Sequence, residues 1–420
     1  MRSQRRIDAI IADKFNLTHY PAAMDFTLPP EIEAIAETAR RFAEAEILPQ
    51  IGAYEASGEF PHAIIEKMGA TGLFGASFPE NLGGTDAGFL AVAVISEEIS
   101  RLAPEFGYAM NMQAMTCPFT IYNWGTDDQI SRFVPDLIAG RRIGMFALTE
   151  PGGGSDAAGA MQTTALRDGD VYRLNGSKQW ITFAHACDTG ILFAKTDLDA
   201  GHRGITAFIV EPKAHDGFTA NPIAMSGLSN VLCSNAVFLD DFVVPVENRL
   251  GGEGEGFKIA MNALEYGRLT VAARSVGLAQ ACFEESVRYA NERVIRGQPI
   301  GHYQMVQHLI ADMAVNVDAA RVLVHRTGWL MDRGEPSSRA TSRAKYAAVE
   351  AAKHAAASAA EIFAGYALAD EYPIKKFTAY VNMLAVGEGT PNVQRILIAE
   401  DALGIKNANR HPVRNRLRGN

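Results

Sequence analysis

From Phe257 to about Arg293 the chain runs without a proline and with few glycines, and no other stretch constrains the fold as much. Such a segment reads as one long helix, and long helices in soluble proteins pack as bundles. Partners follow at once. Gln304–Met331, Ser337–Phe363 and Tyr372–Leu384 read as helices, and Thr390-Pro391 opens a last one to about Leu403. Threonine at the cap with proline at the first helical position suits that start. The alanine-rich run Ala347–Ala360 carries small residues at helical spacing, which permits close helix contact.

Upstream the period changes twice. Apolar residues recur at helical spacing from Pro29-Pro30 to Pro49, and again from Pro61 to Thr71-Gly72. Further helical text covers about Gly88–Leu102, Ala109–Trp124 and Asp127–Ala139, the last with Thr126 as its cap. Between about Ile143 and Glu255 the text turns to short β-type runs: Val171–Leu174, Thr189–Ala194, Ile205–Val210 and Ala236–Leu239. Glycine, Asp and Asn punctuate them, as in an antiparallel sheet or barrel. No GxGxxG opens a helix after a strand, which excludes a Rossmann domain. The reading is α+β and multidomain. An all-α domain (25–142) precedes a middle antiparallel β-barrel or sandwich (143–256) and a C-terminal four-helix-type bundle (257–405). An N-terminal extension (1–24) and a basic tail (406–420) flank them.

Composition removes several function classes. A net charge of −9 argues against a nucleic-acid binder. No run of about 18 apolar residues is present to span a membrane. Cysteines at 117, 187, 233 and 282 form no CxxC pair, which suits a reduced, intracellular setting: cytoplasm in a bacterium, mitochondrial matrix in a eukaryote. The ten histidines lack metal-ligand spacing, so no metal is expected.

Two stretches carry the chemistry. Phe146-Ala147-Leu148-Thr149-Glu150-Pro151 is an apolar run stopped by proline, and it opens into Gly152-Gly153-Gly154-Ser155-Asp156. Glycines let backbone N–H groups approach a ligand, although alone they read equally as a tight turn. Downstream stands Asn175-Gly176-Ser177-Lys178-Gln179-Trp180-Ile181-Thr182. Together with Val276-Gly277-Leu278-Ala279-Gln280, Glu292-Arg293, Glu388-Gly389-Thr390 and Gln394-Arg395, these resemble the acyl-CoA dehydrogenases over nearly the whole chain.

The resemblance implies FAD as cofactor and α,β-dehydrogenation of an acyl-CoA thioester. In that reaction a glutamate removes the α-proton and the β-hydrogen leaves as hydride. It implies Glu388 as the base. It places Phe146, Leu148, Thr149, Gly154, Ser155, Trp180, Thr182, Thr390 and Asn392 at the flavin. Arg293, Gln304, Glu361 and Gly365 would lie near the adenine and pyrophosphate half of a neighbouring subunit's flavin. Ser155, Glu265, Arg268 and Gly389 would meet the substrate, Glu265 and Arg268 at the CoA end. As residues alone, Glu265 and Arg268 read equally as an i,i+3 ion pair, and an acid before a helix as a dipole partner. A homotetramer and an electron-transfer flavoprotein as acceptor are also implied. In some branches the base occupies the position of Gly267, where glycine cannot serve.

The chain departs from the family pattern in four places. Val294-Ile295 replaces a polar residue and phenylalanine, and Glu361 replaces a glutamine, with Arg296 as the cation that would compensate it. Gly387 stands where a tyrosine commonly precedes the base, which points to a branched or cyclic acyl group. Gly107 stands where the glutaryl-CoA branch carries an arginine for a distal carboxylate, so no dicarboxyl substrate is expected. Two rival readings remain: a flavin oxidase or monooxygenase of the same superfamily, and a redox-silent acyl-CoA-binding protein without FAD.

Overall fold

The computed structural model describes residues 27–335 and 337–404. The extension 1–24 and the tail 406–420 lie outside them.

The first region is helical: α1 (Pro30–Phe42), α2 (Ile51–Ser57), α3 (His62–Ala70), α4 (Gly88–Leu102), α5 (Pro118–Trp124) and α6 (Asp127–Ile138). The cap expected at Thr126 is a capping box: its hydroxyl accepts from the Gln129 N–H, and the Gln129 side chain returns to the Thr126 N–H. The single helix expected over Ala109–Trp124 is instead broken. Gly107–Ala109 form one α-turn, Met110–Thr116 widen into a π-turn, and Pro118 restarts the helix after Cys117. Proline at a first helical position forces that restart. Helix α2 buries none of its residues, so it left no apolar periodicity to find.

Eight strands among the described residues make the middle sheet, in the order β6-β7-β3-β2-β4-β5-β8 with β1 attached to β4 and with β6 (Phe218–Pro222) and β8 (Arg249–Leu250) at the two ends. The long members are β3 (Val171–Thr182), β4 (Thr189–Lys195), β5 (Ile205–Val210) and β7 (Ser234–Pro245), joined by β1 (Gly144–Ala147) and β2 (Thr164–Asp168). Most neighbours are antiparallel, as expected, but β1 runs parallel to β4, and β2 meets β4 by a parallel bridge. That mixture corrects the purely antiparallel expectation. Strand β5 is buried along its whole length, and β4 in all but Lys195. Ile191, Phe193, Ala207 and Ile209 face the helical core, while Leu192, Ala194, Phe208 and Val210 face the sheet's own core. A strand buried on both faces shows an unbroken apolar run instead of alternation.

The C-terminal bundle comprises α7 (Gly256–Glu292), α8 (Gln304–Asp332), α9 (Ser338–Phe363), α10 (Ile374–Val386) and α11 (Pro391–Ala402). Helix α7, about 55 Å long, is the hub. It packs on α8 and α9 within the bundle and on α4 and the π-turn of the first region. Ala344, Ala348, Ala352, Ala355 and Ala359 of α9 are fully buried, a small-residue stripe against its neighbours. No helix among the described residues is long and apolar enough to cross a membrane.

Candidate active site

Glu388 lies in the bend between α10 and α11, flanked by Gly387 and Gly389. Its backbone is left-handed (φ 56°), and so is that of Gly389 (φ 92°). A glutamate rarely adopts this conformation, and such strain persists only where surroundings over-determine it. Here they do. The Lys345 ammonium donates to the carbonyls of both Gly387 and Gly389. The Arg268 Nε donates to the Glu388 carbonyl at 3.3 Å, and the Gln394 amide to the Gly389 carbonyl at 3.1 Å. Every carbonyl of the bend thus accepts from a buried side chain.

The carboxylate itself points into the protein. Its Oε1 accepts from the Asn111 amide at 3.1 Å, and its Oε2 is buried with no partner. Asn111 is held in that sense by Thr270, whose hydroxyl donates to Asn111 Oδ1 at 2.6 Å. The π-turn presents Asn111, and such turns recur at functional sites. Opposite stands Gly267, where an added Cβ would come within 2.6–2.7 Å of the Glu388 carboxyl atoms. Burial pushes the Glu388 carboxyl above its ordinary value, against the Asn111 bond and the pull of Lys345, Arg268 and Arg274.

The two motif stretches also meet. The Gln179 N–H donates to the Thr149 carbonyl at 2.9 Å. Lys178, fully buried, pairs with Glu150 at 2.7 Å, and Glu150 accepts further from the N–H groups of Gln162 and Thr163. A register shift in β3 between Lys178 and Ile181 turns Trp180 outward, left-handed (φ 64°) and 54% exposed. Bulges of this kind re-aim side chains beside active sites. Thr149 and Thr182 are half-buried, and neither hydroxyl has a partner among the described residues. Phe146 is half-buried, Leu148 buried, and Gly154 and Ser155 exposed. An uncovered indole beside two free hydroxyls fits a flat heteroaromatic ligand with hydrogen-bonding edges, which is the shape of a flavin ring.

Models of the N-terminal, middle and C-terminal domains of acyl-CoA dehydrogenase match residues 29–141, 145–241 and 254–403. The chain belongs to the acyl-CoA dehydrogenase family. Members are FAD-dependent oxidoreductases, and the hydroxyls and indole just described suit that cofactor. Among relatives, the glutaryl-CoA dehydrogenase of Desulfococcus multivorans is 38% identical over 92% of this chain and 100% of its own. The CarC subunit of the caffeyl-CoA reductase-Etf complex of Acetobacterium woodii is 37% identical over 87% of this chain and 96% of its own. Among solved structures, a glutaryl-coenzyme A dehydrogenase with glutaryl-CoA superimposes with a TM-score of 0.88 at 37% identity, covering 92% of this chain and 99% of that one.

Other expected residues of this acyl-CoA dehydrogenase fall in different places. Thr390 caps α11, its hydroxyl accepting from the Val393 N–H, and Asn392 accepts from Arg395. Glu265 and Arg268 are both buried. Glu265 accepts from the Ser337 hydroxyl at 2.7 Å, and Arg268 turns to the base loop. Arg293, Gln304, Glu361 and Gly365 are all exposed, and Arg293 lies over the Tyr366 ring at 5.5 Å. No ion pair joins Glu361 to Arg296 among the described residues. Arg296 and Gly297, both left-handed, instead form the turn of a short hairpin, Val294–Ile295 with Gln298–Pro299.

Asn111, Thr270 and Lys345 have no part in the sequence motifs, and Gln394, Glu150 and Lys178 stand inside them with no role assigned. One signal was present for Lys345: it is the lysine on the alanine stripe of α9, and a charged side chain on a buried small-residue face needs a partner.

Proposed function

We propose that Glu388 is the base with which this dehydrogenase removes the α-proton of an acyl-CoA thioester. The observation that carries the reading is the unpartnered, buried Oε2 of a carboxyl held above its ordinary value. A desolvated carboxylate is a stronger base than one in water, and the α-proton demands it. The Glu388 N–H makes no hydrogen bond among the described residues. It is therefore free to polarise the thioester oxygen, and the clamp of Lys345, Arg268 and Gln394 fixes its position beforehand. Asn111 orients the carboxylate, and Gly267 leaves it room. FAD held against Thr149, Trp180 and Thr182 supplies the two-electron acceptor for the hydrogen leaving the β-carbon.

The acyl group is branched or cyclic. A Cβ built on Gly387 meets only the Met383 carbonyl, at 3.8 Å, so space is open beside the base. A homotetramer accords with the exposed Val294, Ile295, Met305, Trp329 and Leu368. In it, Arg293, Gln304, Glu361 and Gly365 would serve a neighbouring subunit's FAD. An electron-transfer flavoprotein as acceptor is supported by the relationship to CarC. The four cysteines are free and buried, which suits a reducing bacterial cytoplasm or mitochondrial matrix.

The test is a visible spectrum recorded anaerobically while acyl-CoA thioesters are added. A flavin band that bleaches with a branched or cyclic thioester, and persists in Glu388→Gln, is expected. A protein that stays colourless with added FAD would overturn this reading in favour of a redox-silent thioester binder.

A further inference from the structure

Arg274 is 2% exposed, and its guanidinium makes no hydrogen bond or ion pair among the described residues. Its Nε is buried without a partner. Two neighbours share that state, the Ser100 hydroxyl and the Tyr108 hydroxyl. The Arg274 Cζ lies 5.1 Å from the Tyr108 ring centroid. A Cβ on Gly107 would meet both Arg274 Nε and Ser100 Oγ at 2.5 Å, so these two donors converge on one point. The nearby Glu105 accepts from Lys376 through Oε1, while its Oε2 is buried without a partner. A buried cation normally has a counter-ion, and three buried polar groups without partners mark a place where something else binds.

The position of this cluster relative to the base follows from helix geometry. Gly267, against which the Glu388 carboxylate rests, and Arg274 are seven residues apart on α7. They therefore share one face, separated by about 10 Å along the axis. Thr270 lies between them and orients Asn111. Across the gap, Asn111 and Tyr108 repeat the arrangement on the segment that carries the π-turn: Asn111 at the base end, Tyr108 at the arginine end. A substrate with its reacting carbons at Glu388 and its acyl chain running along this face would bring its distal end to Arg274.

We propose that Arg274, with Ser100 and Tyr108, forms a subsite for a carboxylate at the far end of the acyl group. The substrate is then a dicarboxylic acyl thioester whose branch or ring occupies the space beside Gly387. A guanidinium matches a carboxylate bidentately, and two hydroxyls complete its shell. Gly107 is what makes this possible, because any side chain there would displace the arginine arriving from α7. The glycine that argued against a dicarboxyl substrate thus vacates the site for a different arginine. This inference rests on the proposed dehydrogenation and deepens it.

The test compares paired thioesters that differ only in carboxylate against methyl: 2-methylsuccinyl-CoA with 2-methylbutanoyl-CoA, and glutaryl-CoA with pentanoyl-CoA. Wild type is expected to favour the carboxylate member of a pair by about 100-fold in kcat/KM. Arg274→Gln should abolish that preference, with the ratio between the two members as the readout because the substitution also removes a charge that acts on Glu388, and Arg274→Lys should recover part of the ratio. Calorimetric titration with the corresponding unreactive CoA thioethers should show the same ratio in binding. Equal losses on both members in Arg274→Gln would make the residue structural and overturn the subsite. So would a wild type that prefers the methyl members, which leaves the dehydrogenase reading intact and decides the matter even if the variants fail to fold. Failure to bleach with every thioester would instead remove the dehydrogenase reading and the subsite together.

Discussion

Lys178 and Lys345 are both almost fully buried, both stand near a glutamate, and both reach backbone carbonyls. Lys178 pairs directly with Glu150, whose carboxylate also takes two backbone N–H groups. Burial alone would raise Glu150, yet Lys178 and those donors hold it below its ordinary value. Burial draws Lys178 down to about 8 with Glu150 opposing. The 2.7 Å contact and the satisfied carboxylate assign a charged pair at neutral pH. Lys345 donates to carbonyls instead, and Glu388 keeps one amide bond and one free oxygen. Burial lowers Lys345 and raises Glu388, each opposed by the charge of the other, and no ion pair joins the two among the described residues. The same two residue types make a fastening in one region and, in the proposed function, a poised base in the other. The choice between carboxylate and carbonyl as the lysine's acceptor separates them.

The largest way to break this contrast is Glu388→Gln. Turnover should fall roughly 10³–10⁴-fold with FAD content unchanged, and a loss under tenfold would place the base elsewhere. Next is Lys178→Met, which strands Glu150 as a buried unpaired charge. Denaturant titration should show about 3–5 kcal/mol lost, much of it recovered when Glu150→Gln is added. Lys345→Met should cost about 2 kcal/mol. Because Lys345 pulls the Glu388 carboxyl down, its removal should also move the acid limb of kcat/KM to higher pH, and an unmoved limb would show that Lys345 acts only on the fold.

The pH dependence sharpens the comparison further. Glu388 is raised, so its favourable contribution to stability holds below about 4.5 and is lost as pH rises through the folded value. Glu150 is depressed, so its contribution holds above about 4.5 and is lost as pH falls through the folded value. On acidification, activity should therefore fall before the fold does, as read by rate and circular dichroism on the same samples. Coincident transitions would remove the distinction. The smallest effect is expected from Glu361→Gln, a few-fold gain in FAD retention on gel filtration, since no ion pair holds this exposed acid among the described residues.

The parts legible in the sequence are those written in local terms. Helix α4 spans Gly88–Leu102 as its periodicity indicates, and α7 ends within a residue of Arg293. Thr126 and Thr390 cap as their spacing with Gln129 and Pro391 implies. The parallel pairing of β1 with β4 joins residues about 45 apart and leaves no local mark. The π-turn at Met110–Thr116 has ordinary helical composition. At the site, Glu388 stood out through the family resemblance, its glycine-flanked bend alone reading as a helix-dipole partner, whereas Lys345, Asn111 and Arg274 read as ordinary helical residues. Their roles depend on what lies across a gap, and that is fixed by packing between segments distant in sequence.

Gly267 and Glu388 occupy one volume between them. A carboxylate side chain at 267 would collide with the one at 388, and losing the latter alone would leave no base. The two positions therefore form a mutually exclusive pair, and a lineage that relocates the base must alter both. Any single substitution between the two arrangements passes through a protein with clashing acids or with none. With Glu388 as the proposed base, the chain is in that sense confined to a base at 388, and the smallest residue in the site is the one that enforces the confinement.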